Sequence, residues 1–440
     1  MDTLGQIAEI IDVILSFTSR SSLYNCALVC KSYHDIAIKY LWRTIPSAWP
    51  LLSFLGIVCP EFDIDGITWR FSTTPSQSSW ESFDKFAKYV EVIARRTSSG
   101  PRGTMDYRFG PSDLGYDGIE EEDGFTDRCC GRDCIDRVTL NQITQHQYSA
   151  GGALRTPLIP NLERLDFTFS QFRAPPETFV PFLGPKLKKL TLSYHSCMRI
   201  SDQYLILLQR LIRQGLQELA KFESEIPLEN LEISVQASNY SAMRYQEINE
   251  AILLVLERYT KLRRLKAPTF LRHDGLVSGL RHLSHLQSLS VTFKNPEVLM
   301  SFLKSFCPEH PNIRHLELEH ENDIATPRSI LDPLLDCHGL ISLSITTYLA
   351  GRTSRPSNWP LPDVHMMSEA WPQLELLTLC PWGIIPLEDL EAFQDTELFP
   401  HLKSLEPHHR RSRSSSACGR SGRSKPSPSP IFTGKMTFQH

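Results

Sequence analysis

The sequence predicts an α/β protein in which three short N-terminal helices precede an irregular solenoid of strand–helix repeats built on a parallel sheet. Within the first 45 residues, apolar side chains recur at the three- and four-residue steps of amphipathic helices. From residue 162 onward a short leucine pattern returns along the chain, and apolar residues at helical spacing separate its copies. A chain of 440 residues is longer than one compact domain usually is, whereas an array of repeats can extend over a chain of this length.

The first predicted helix carries its apolar side chains on one face and ends near Phe17. These side chains are Ile7, Ile10, Ile11, Ile14 and Leu15. Ser21 or Ser22 is placed to cap a second helix, and the segment from Asp35 to Leu41 predicts a third. A segment of about 40 residues usually needs a metal, disulfides or a partner surface to be stable. The surplus of apolar residues therefore indicates docking against another surface.

The run from Leu28 to Tyr33 and the closing pair Leu41-Trp42 resemble the second half of an F-box. The first half departs from that family, which usually opens with Leu-Pro two residues ahead of a glutamate, whereas this chain has Gln6-Ile7 there. The resemblance implies that residues 1–45 form an F-box that binds a Skp-type adaptor and, through it, a cullin. It also implies that the protein performs no chemistry itself.

Seven side chains of this segment are predicted to dock on the adaptor, because apolar and aromatic residues dominate buried interfaces. They are Ile10, Ile14, Leu15, Leu28, Val29, Tyr33 and Trp42. The sequence leaves two alternatives open. Some of the seven belong to the internal core of the F-box, or the whole segment is an ordinary helical hairpin packed on the following domain.

The region between the helices and the repeats has weaker patterns. Residues 46–98 contain apolar pieces that predict a linker or divergent first repeats, since terminal repeats are usually atypical. Residues 99–153 are glycine-rich, carry the acidic run Glu120–Asp123 and give few helix or strand signals. They predict a flexible, exposed insertion.

The same insertion contains Cys129, Cys130 and Cys134, with His146 further along. Three residues separate Cys130 from Cys134, a spacing that zinc sites use, but no second pair of ligands follows. The eleven cysteines of the chain form no regular framework, and several lie in apolar patterns typical of reduced, buried thiols. We expect no metal and no cofactor.

Residues 154–407 repeat the pattern Leu-x-x-Leu-x-Leu, with Ile, Phe or Val in some copies. The copies begin at Leu162, Leu187, Leu228, Leu262, Leu286, Ile313, Leu340, Leu374 and Leu402, at intervals of 24 to 41 residues. The pattern predicts a strand that enters a parallel sheet, with the first leucine turning in from the loop and a helix returning the chain. The asparagine that regular leucine-rich repeats place after the strand is missing. The segment resembles the degenerate leucine-rich repeats of fungal F-box proteins.

The C-terminal residues 408–440 are basic, serine-rich and nearly free of apolar side chains, so they predict a disordered tail. Arg410-Arg411 and the Ser-Pro pairs at Ser427 and Ser429 suit nuclear localisation or control by phosphorylation. An extension without function explains them equally well. Because the ninth repeat stops at Leu405 without a following helix, the sheet is expected to end in an open edge.

The composition narrows the class of function. A net charge of −4 does not indicate a nucleic-acid or membrane partner. No apolar run approaches the 18 or more residues that span a bilayer. The usual catalytic and nucleotide-binding motifs are absent, so we expect a non-catalytic protein of the cytoplasm, the nucleus or both. The expected function is a substrate-recognition adaptor of a Skp/cullin/F-box ubiquitin ligase, whose repeats bind an unknown protein substrate. The alternatives are a repeat scaffold whose degenerate F-box joins no cullin complex and, less favoured, an enzyme with a buried site.

Overall fold

A computed structural model of the protein describes residues 2–56, 58–63, 66–94, 135, 137–151, 157–169, 176–195, 202–222, 225–236, 246–267, 274–293, 296–320, 327–347, 364–379, 392–393, 395–407 and 436–437. The chain divides into two compact units, residues 1–255 and 256–440. Each unit is described by itself below.

The first unit begins with three helices, α1 (Asp2–Ser16), α2 (Arg20–Ala27) and α3 (Lys31–Arg43). Ser19 caps α2, since its extended backbone lets its hydroxyl accept a hydrogen bond from the amide of Ser22 at 3.3 Å. The expectation that Ser21 or Ser22 is the cap was wrong, because both already lie in the first helical turn.

The third helix runs without a loop into the first strand, β1 (Thr44–Ile45), which pairs in parallel with β4 (Val92–Ile93). Between these strands the chain forms α4 (Trp49–Leu52), a short 3-10 turn, an antiparallel hairpin and a longer helix. The hairpin consists of β2 (Val58–Asp63) and β3 (Gly66–Phe71), and the helix is α5 (Gln77–Ala87). Residues 44–93 thus contain one irregular strand–helix repeat.

Three further strands extend this sheet in parallel, each next to the preceding one in the chain. They are β5 (Arg164–Phe169), β6 (Lys189–His195) and β7 (Asn230–Gln236). The 3-10 helix Pro176–Phe182 connects β5 to β6, and α7 (Asp202–Lys221) connects β6 to β7. Helix α8 (Gln246–Arg258) follows β7, and the first unit ends within it.

The second unit continues the alternation of strand and helix. Its parallel strands are β8 (Arg264–Ala267), β9 (Ser288–Phe293), β10 (His315–His320), β11 (Ser342–Thr347), β12 (Leu376–Leu379) and β13 (Ser404–Pro407). Its described helices are α9 (Asp274–Arg281), α10 (Pro296–Phe306), α11 (Pro327–Leu334) and α12 (Val364–Ala370).

The leucine pattern predicts each of the strands from β5 to β13. Every one of them begins two residues after the first leucine or isoleucine of its copy. These nine first residues are buried, none with more than 3 % of its surface exposed. The prediction of an α/β fold with parallel, leucine-rich-repeat-like strands is confirmed.

Backbone hydrogen bonds explain why the position of the first leucine sets the strand. The amide of Ile313 donates to the carbonyl of His310 at 3.1 Å, which turns the chain inward. The next amide, that of Arg314, donates to the carbonyl of Gln287 in the preceding repeat at 2.9 Å. The other copies for which both bonds are described repeat this arrangement, except that the amide of Leu228 donates to the carbonyl of Ile226, two residues back. The turn and the register are therefore established together.

One helix forms where the sequence predicts a flexible insertion. Residues 137–151 form α6 (Arg137–Gly151), so the expectation for residues 99–153 was wrong over this stretch. Leu140 and Ile143 are buried, and the side-chain amide of Gln147 donates to the carbonyl of Pro181 at 2.9 Å. These residues recur at helical spacing, a signal that the glycine-rich, acidic composition of the neighbouring sequence obscured.

The C-terminal prediction falls mostly outside the described residues, as do Cys129, Cys130 and Cys134. Of the predicted tail, residues 436–437 are described, and they form β14 (Met436–Thr437), which pairs antiparallel with Ser404 and Leu405 of β13. The edge that the sequence predicts to be open is therefore covered along two residues.

Candidate functional site

The three N-terminal helices share a small core. Its buried members are Leu15, Leu23, Ala27 and Ala37. Six partly buried residues pack around them: Ile11, Cys26, Tyr33, Ile36, Tyr40 and Leu41. Two leucines and two alanines bury little apolar surface, so these helices depend on neighbouring surfaces for stability.

A second apolar surface of the same helices faces solvent. Eight large apolar side chains are between 52 % and 87 % exposed. They are Ile7, Ile10, Val13, Ile14, Phe17, Tyr24, Leu28 and Val29. We call this set the apolar face. Single exposed apolar residues are ordinary, but a group of this size within one short segment is typical of a binding surface.

The geometry of α1 explains how one helix serves both surfaces. Ile7, Ile10 and Ile14 recur at steps of three and four residues and lie on one stripe. Ile11 and Leu15 lie on the adjoining stripe and pack into the core. A helix with apolar side chains on two neighbouring stripes needs two packing partners, and the three-helix core supplies one.

Polar contacts fix α1 against α3. The ammonium of Lys39 lies 3.2 Å from the carboxylate of Asp12, and Tyr40 also interacts with Asp12. Burial, followed by the hydrogen bond and the charge of Asp12, raises the pKa of Tyr40 above its usual value. These contacts hold in place the helix that carries Ile7, Ile10, Val13 and Ile14 of the apolar face.

Four of the seven predicted docking residues lie on the apolar face. They are Ile10, Ile14, Leu28 and Val29. Tyr33 is half-buried against the core. Leu15 is 2 % exposed, so the prediction that it contacts a partner directly is corrected: its side chain faces the helix core.

Trp42, which was predicted to dock on the adaptor, packs against aromatic rings of the same chain. Its ring centroid lies 5.6 Å from that of Phe54 and 4.8 Å from that of Phe86, and these two phenylalanines stack on each other at 4.8 Å. Next to it, the Nε of Arg43 donates to Glu91 at 2.7 Å, and the hydrogen bond and charge of Glu91 raise the pKa of Arg43. Trp42 is half-buried and joins α3 to the first repeat.

The prediction of docking residues omitted four members of the apolar face, Ile7, Val13, Phe17 and Tyr24. Val13 follows Ile10 by three residues and precedes Phe17 by four, so the helical spacing that selected Ile10 also contained these two. Tyr24 is adjacent to the buried Leu23, and neighbouring positions on a helix point in different directions.

Two further features can be examined among the described residues, a metal site and a membrane-spanning helix. Among them, no three His, Cys, Asp or Glu side chains stand close enough together to hold a metal ion. None of the described helices is long and apolar enough to cross a membrane. His146, considered above as a metal neighbour, stacks on Trp80 with a centroid distance of 3.7 Å.

Residues 8–45 match the F-box-like family. The N-terminal segment is therefore an F-box-like domain, and it is the part of the chain that carries the apolar face. The match begins two residues after Gln6, the start of the stretch where the sequence departs from the usual opening of the family.

Two solved structures resemble the whole chain or a large part of it. The complex of Rad7 and Elc1 in yeast contains a chain that is 12 % identical, with a TM-score of 0.35, over 96 % of this chain and 93 % of that one. An internalin (inlF) from Listeria monocytogenes is 13 % identical, with a TM-score of 0.25, over 60 % of this chain and 83 % of that one. No curated protein matches the sequence.

Proposed function

We propose that this protein is the substrate-recognition adaptor of a Skp/cullin/F-box ubiquitin ligase. The observation that carries the proposal is the apolar face on the F-box-like domain. Fully burying one Leu, Ile or Phe side chain contributes about 1.5–3 kcal/mol, so even partial burial of these eight residues can support a stable complex. A Skp-type adaptor is the partner that F-box domains generally bind.

The protein's part in the reaction would be proximity. The adaptor would connect the F-box-like domain to a cullin that carries the ubiquitin-conjugating enzyme, while the repeats hold a substrate protein. A substrate lysine held near the charged enzyme reacts at a high effective concentration in place of a bimolecular encounter. No catalytic group of this chain is needed, and the role implies a cytoplasmic or nuclear location.

The join between α3 and the first repeat supports such a positioning role. The stack of Trp42 on Phe54 and Phe86, the ion pair of Arg43 with Glu91 and the parallel pairing of β1 with β4 all lie within a short stretch of the first unit. Several independent contacts at one junction restrict its bending. The F-box-like domain would thus be held at a defined angle to the first repeat.

A second candidate function has one specific observation in its favour. Gln6-Ile7 stands where F-box segments usually open with Leu-Pro, and in this chain α1 begins at Asp2 and runs through both positions. A weaker adaptor contact would leave a non-catalytic repeat scaffold that joins no cullin complex. The two candidates differ in cullin recruitment and share the repeats as a protein-binding surface.

The test is co-purification of the full chain with a purified Skp-type adaptor and then with cullin. We expect a one-to-one complex that the double variant Ile14→Asp, Leu28→Asp abolishes, since both side chains are exposed on the apolar face. Val138→Asp is the matched control, because Val138 is 66 % exposed on α6 and lies outside the F-box-like domain.

Three outcomes separate the candidates. An adaptor complex that recruits cullin, and is lost in the double variant alone, supports the ligase role. An adaptor complex that excludes cullin favours the scaffold. If the wild-type chain forms no complex with the adaptor, the proposed docking function of the apolar face is wrong.

A further inference from the structure

Two buried cysteines lie side by side in the second unit, one in each of two successive repeats. Cys307 directly follows α10, and Cys337 follows α11 by three residues. Both side chains are fully buried, and both thiols are free. The thiol of Cys307 forms a hydrogen bond with the thiol of Cys337. The pair is therefore a dithiol whose two sulfur atoms are already in contact.

The repeat pattern explains why these two side chains meet. His310 and Cys337 hold the same position in successive copies, because the carbonyl of each accepts a hydrogen bond from the amide that turns the chain inward. These amides belong to Ile313, at 3.1 Å, and to Leu340, at 3.3 Å. The amide of His310 also donates to the carbonyl of Cys307 at 3.2 Å, so Cys307 belongs to the same turn as His310. Each repeat packs on its neighbours, which places Cys337 against this turn.

Backbone contacts hold the two turns together independently of the thiols. The amide of Gly339 donates to the carbonyl of Pro311 at 3.1 Å, and the amide of Ile341 donates to the carbonyl of Arg314 at 2.8 Å. A Cβ added at Gly339 would lie 3.1 Å from the Cα of Asn312, so glycine permits this close approach. The two cysteines are thus kept next to each other by the main chain of both repeats.

Other copies carry larger apolar side chains at the two cysteine positions. Six residues before the first leucine, the copies before and after carry the buried Leu280 and Leu334. Three residues before that leucine, Leu283 and Trp371 are buried in other copies. Packing alone therefore does not require sulfur at either position. Two thiols in contact add a chemistry that these apolar side chains lack.

We propose that Cys307 and Cys337 are a redox modification site, at which hydrogen peroxide forms a reversible disulfide between the two repeats. The sulfur of Cys337 attacks one peroxide oxygen, the O–O bond breaks, and a sulfenic acid and one water form. The sulfur of Cys307 then attacks the sulfur of the sulfenic acid and displaces its hydroxyl as a second water. Two thiols are oxidised by two electrons in all, one peroxide is reduced to two waters, and a dithiol reductant reverses the bond.

The hydrogen bond between the thiols determines the order of the two steps. The hydrogen bond to Cys337, followed by burial and by the charges of Cys337 and Asp336, raises the pKa of Cys307 above its usual value. Cys307 therefore keeps its proton and donates it towards the sulfur of Cys337. Because the thiolate is the reactive form of cysteine, Cys337 is the sulfur that attacks the oxidant and Cys307 is the one that completes the disulfide.

The segment before Cys337 provides a route for a small oxidant. Helix α11 has eight residues and contains Pro333, which lacks the N–H that a residue inside a helix normally donates. A short helix with a missing hydrogen bond opens locally at a lower cost than a regular one. Hydrogen peroxide is little larger than water, so a brief opening admits it, whereas the closed fold excludes bulky thiol reagents.

The disulfide would constrain one complete strand–helix unit. The chain from residue 307 to residue 337 contains β10 and α11, and the bond would close it into a loop. Such a bond reduces the freedom of the unfolded chain and so stabilises the folded one. In the cytoplasmic or nuclear location proposed above, thiols are kept reduced, so the cross-link would form transiently under oxidation.

The test exposes the native full chain to graded hydrogen peroxide, quenches it with acid and maps the cysteines by peptide mass spectrometry. We expect one cross-linked peptide pair that contains Cys307 and Cys337. Calorimetry of the oxidised chain should show the unfolding midpoint of the second unit raised by about 5–10 °C, and dithiothreitol should reverse the shift. Cys30→Ala is the matched control, because Cys30 is an exposed thiol outside the pair and its loss should leave the cross-link unchanged.

Two single variants test the order of the steps. Cys307→Ala should accumulate a sulfenic acid at Cys337 that dimedone traps, whereas Cys337→Ala should leave Cys307 mainly as a thiol at the same peroxide concentration. The proposal is overturned if peroxide oxidises other cysteines of the native chain while both of these thiols persist. It is also overturned if the cross-link forms only in denaturant, or if both single variants trap dimedone equally.

Discussion

The indole of Trp42 lies 4.8 Å from the ring of Phe86, centroid to centroid, at an angle of 33°. Trp42 lies in the last turn of α3, and Phe86 belongs to α5 of the first repeat. The sequence alone assigned Trp42 to the adaptor interface because apolar and aromatic residues dominate buried interfaces. In the structure Trp42 contacts other residues of the same chain. Adaptor binding and the stability of this junction can therefore be measured separately.

Trp42→Ala should therefore weaken the junction and leave adaptor docking largely intact. Loss of a half-buried aromatic stack is expected to lower the free energy of unfolding by about 2 kcal/mol, less than for a fully buried tryptophan. Chemical denaturation gives the stability change, and titration with adaptor gives the affinity. Trp42→Phe, which keeps an aromatic ring, is the control and should lose less than half as much. A large loss of adaptor affinity without loss of stability would show that Trp42 contacts the adaptor directly.

Ile10 and Leu15 should respond in opposite ways, although both lie on α1. Ile10 is 59 % exposed on the apolar face, so Ile10→Asp is expected to change stability by less than about 0.5 kcal/mol and to weaken adaptor binding severely. Leu15 is 2 % exposed in the helix core, so Leu15→Ala is expected to cost about 2–4 kcal/mol of the stability of that core. Thermal unfolding and adaptor titration of both variants check this contrast, which fails if both change the same quantity.

Tyr194→Phe should stabilise the first unit. The Tyr194 ring is fully buried and stacks on Phe169 at 4.6 Å, but its hydroxyl has no hydrogen-bond partner within the described part of the chain. Burial raises the pKa of this hydroxyl far above its usual value. An unsatisfied buried hydroxyl costs about 1–3 kcal/mol, so its removal should raise the free energy of unfolding by about 1 kcal/mol.

Tyr259→Phe is the matched control for this prediction. Tyr259 is 4 % exposed, and its hydroxyl interacts with Arg258, whose hydrogen bond opposes the rise in pKa that burial causes. Removal of a satisfied hydroxyl should destabilise the protein by about 1 kcal/mol. Denaturant titration of the two variants should give opposite signs, and the same sign in both would show that the Tyr194 hydroxyl is satisfied in solution.

The sequence could predict the strands of the repeats because one residue controls each of them. The first leucine of a copy is both the residue that turns inward and the residue two positions before the strand, so its position sets burial and register at once. In α1 no single residue sets which side of the helix is buried. Ile14 and Leu15 are adjacent, equally apolar and compatible with the same helix, and only the packing of α3 decides which of them faces the core.

The contacts of Trp42 and α6 could not be predicted from the sequence, because their partners are distant in the chain. The partners of Trp42 are 12 and 44 residues away, at Phe54 and Phe86, and no local period connects them. Helix α6 follows a long insertion and packs on Pro181 and Trp80, which are distant in the chain.

The stability of the second unit should fall as the solution becomes acidic, and His310 should carry part of this effect. His310 is 6 % exposed and stacks on Phe306 at 4.5 Å. Burial lowers its pKa below the usual value, against smaller opposing effects of the Glu309 charge and the Leu280 carbonyl. The unfolded chain therefore binds a proton more readily than the folded one. Stability is fully present above the unfolded pKa of about 6.5 and is lost as the pH falls through the lower, folded pKa.

The asparagine variant His310→Asn isolates this contribution, since an amide can keep a hydrogen bond to the Leu280 carbonyl without titrating. Unfolding measured between about pH 7.5 and pH 5 should show a shallower loss of stability in the variant, by up to about 1.4 kcal/mol per pH unit for one proton. His315 of the second unit also has a lowered pKa, so the variant should keep part of the wild-type slope. Identical slopes in the two proteins would mean that His310 is as easily protonated in the folded chain as in the unfolded one, in conflict with its burial.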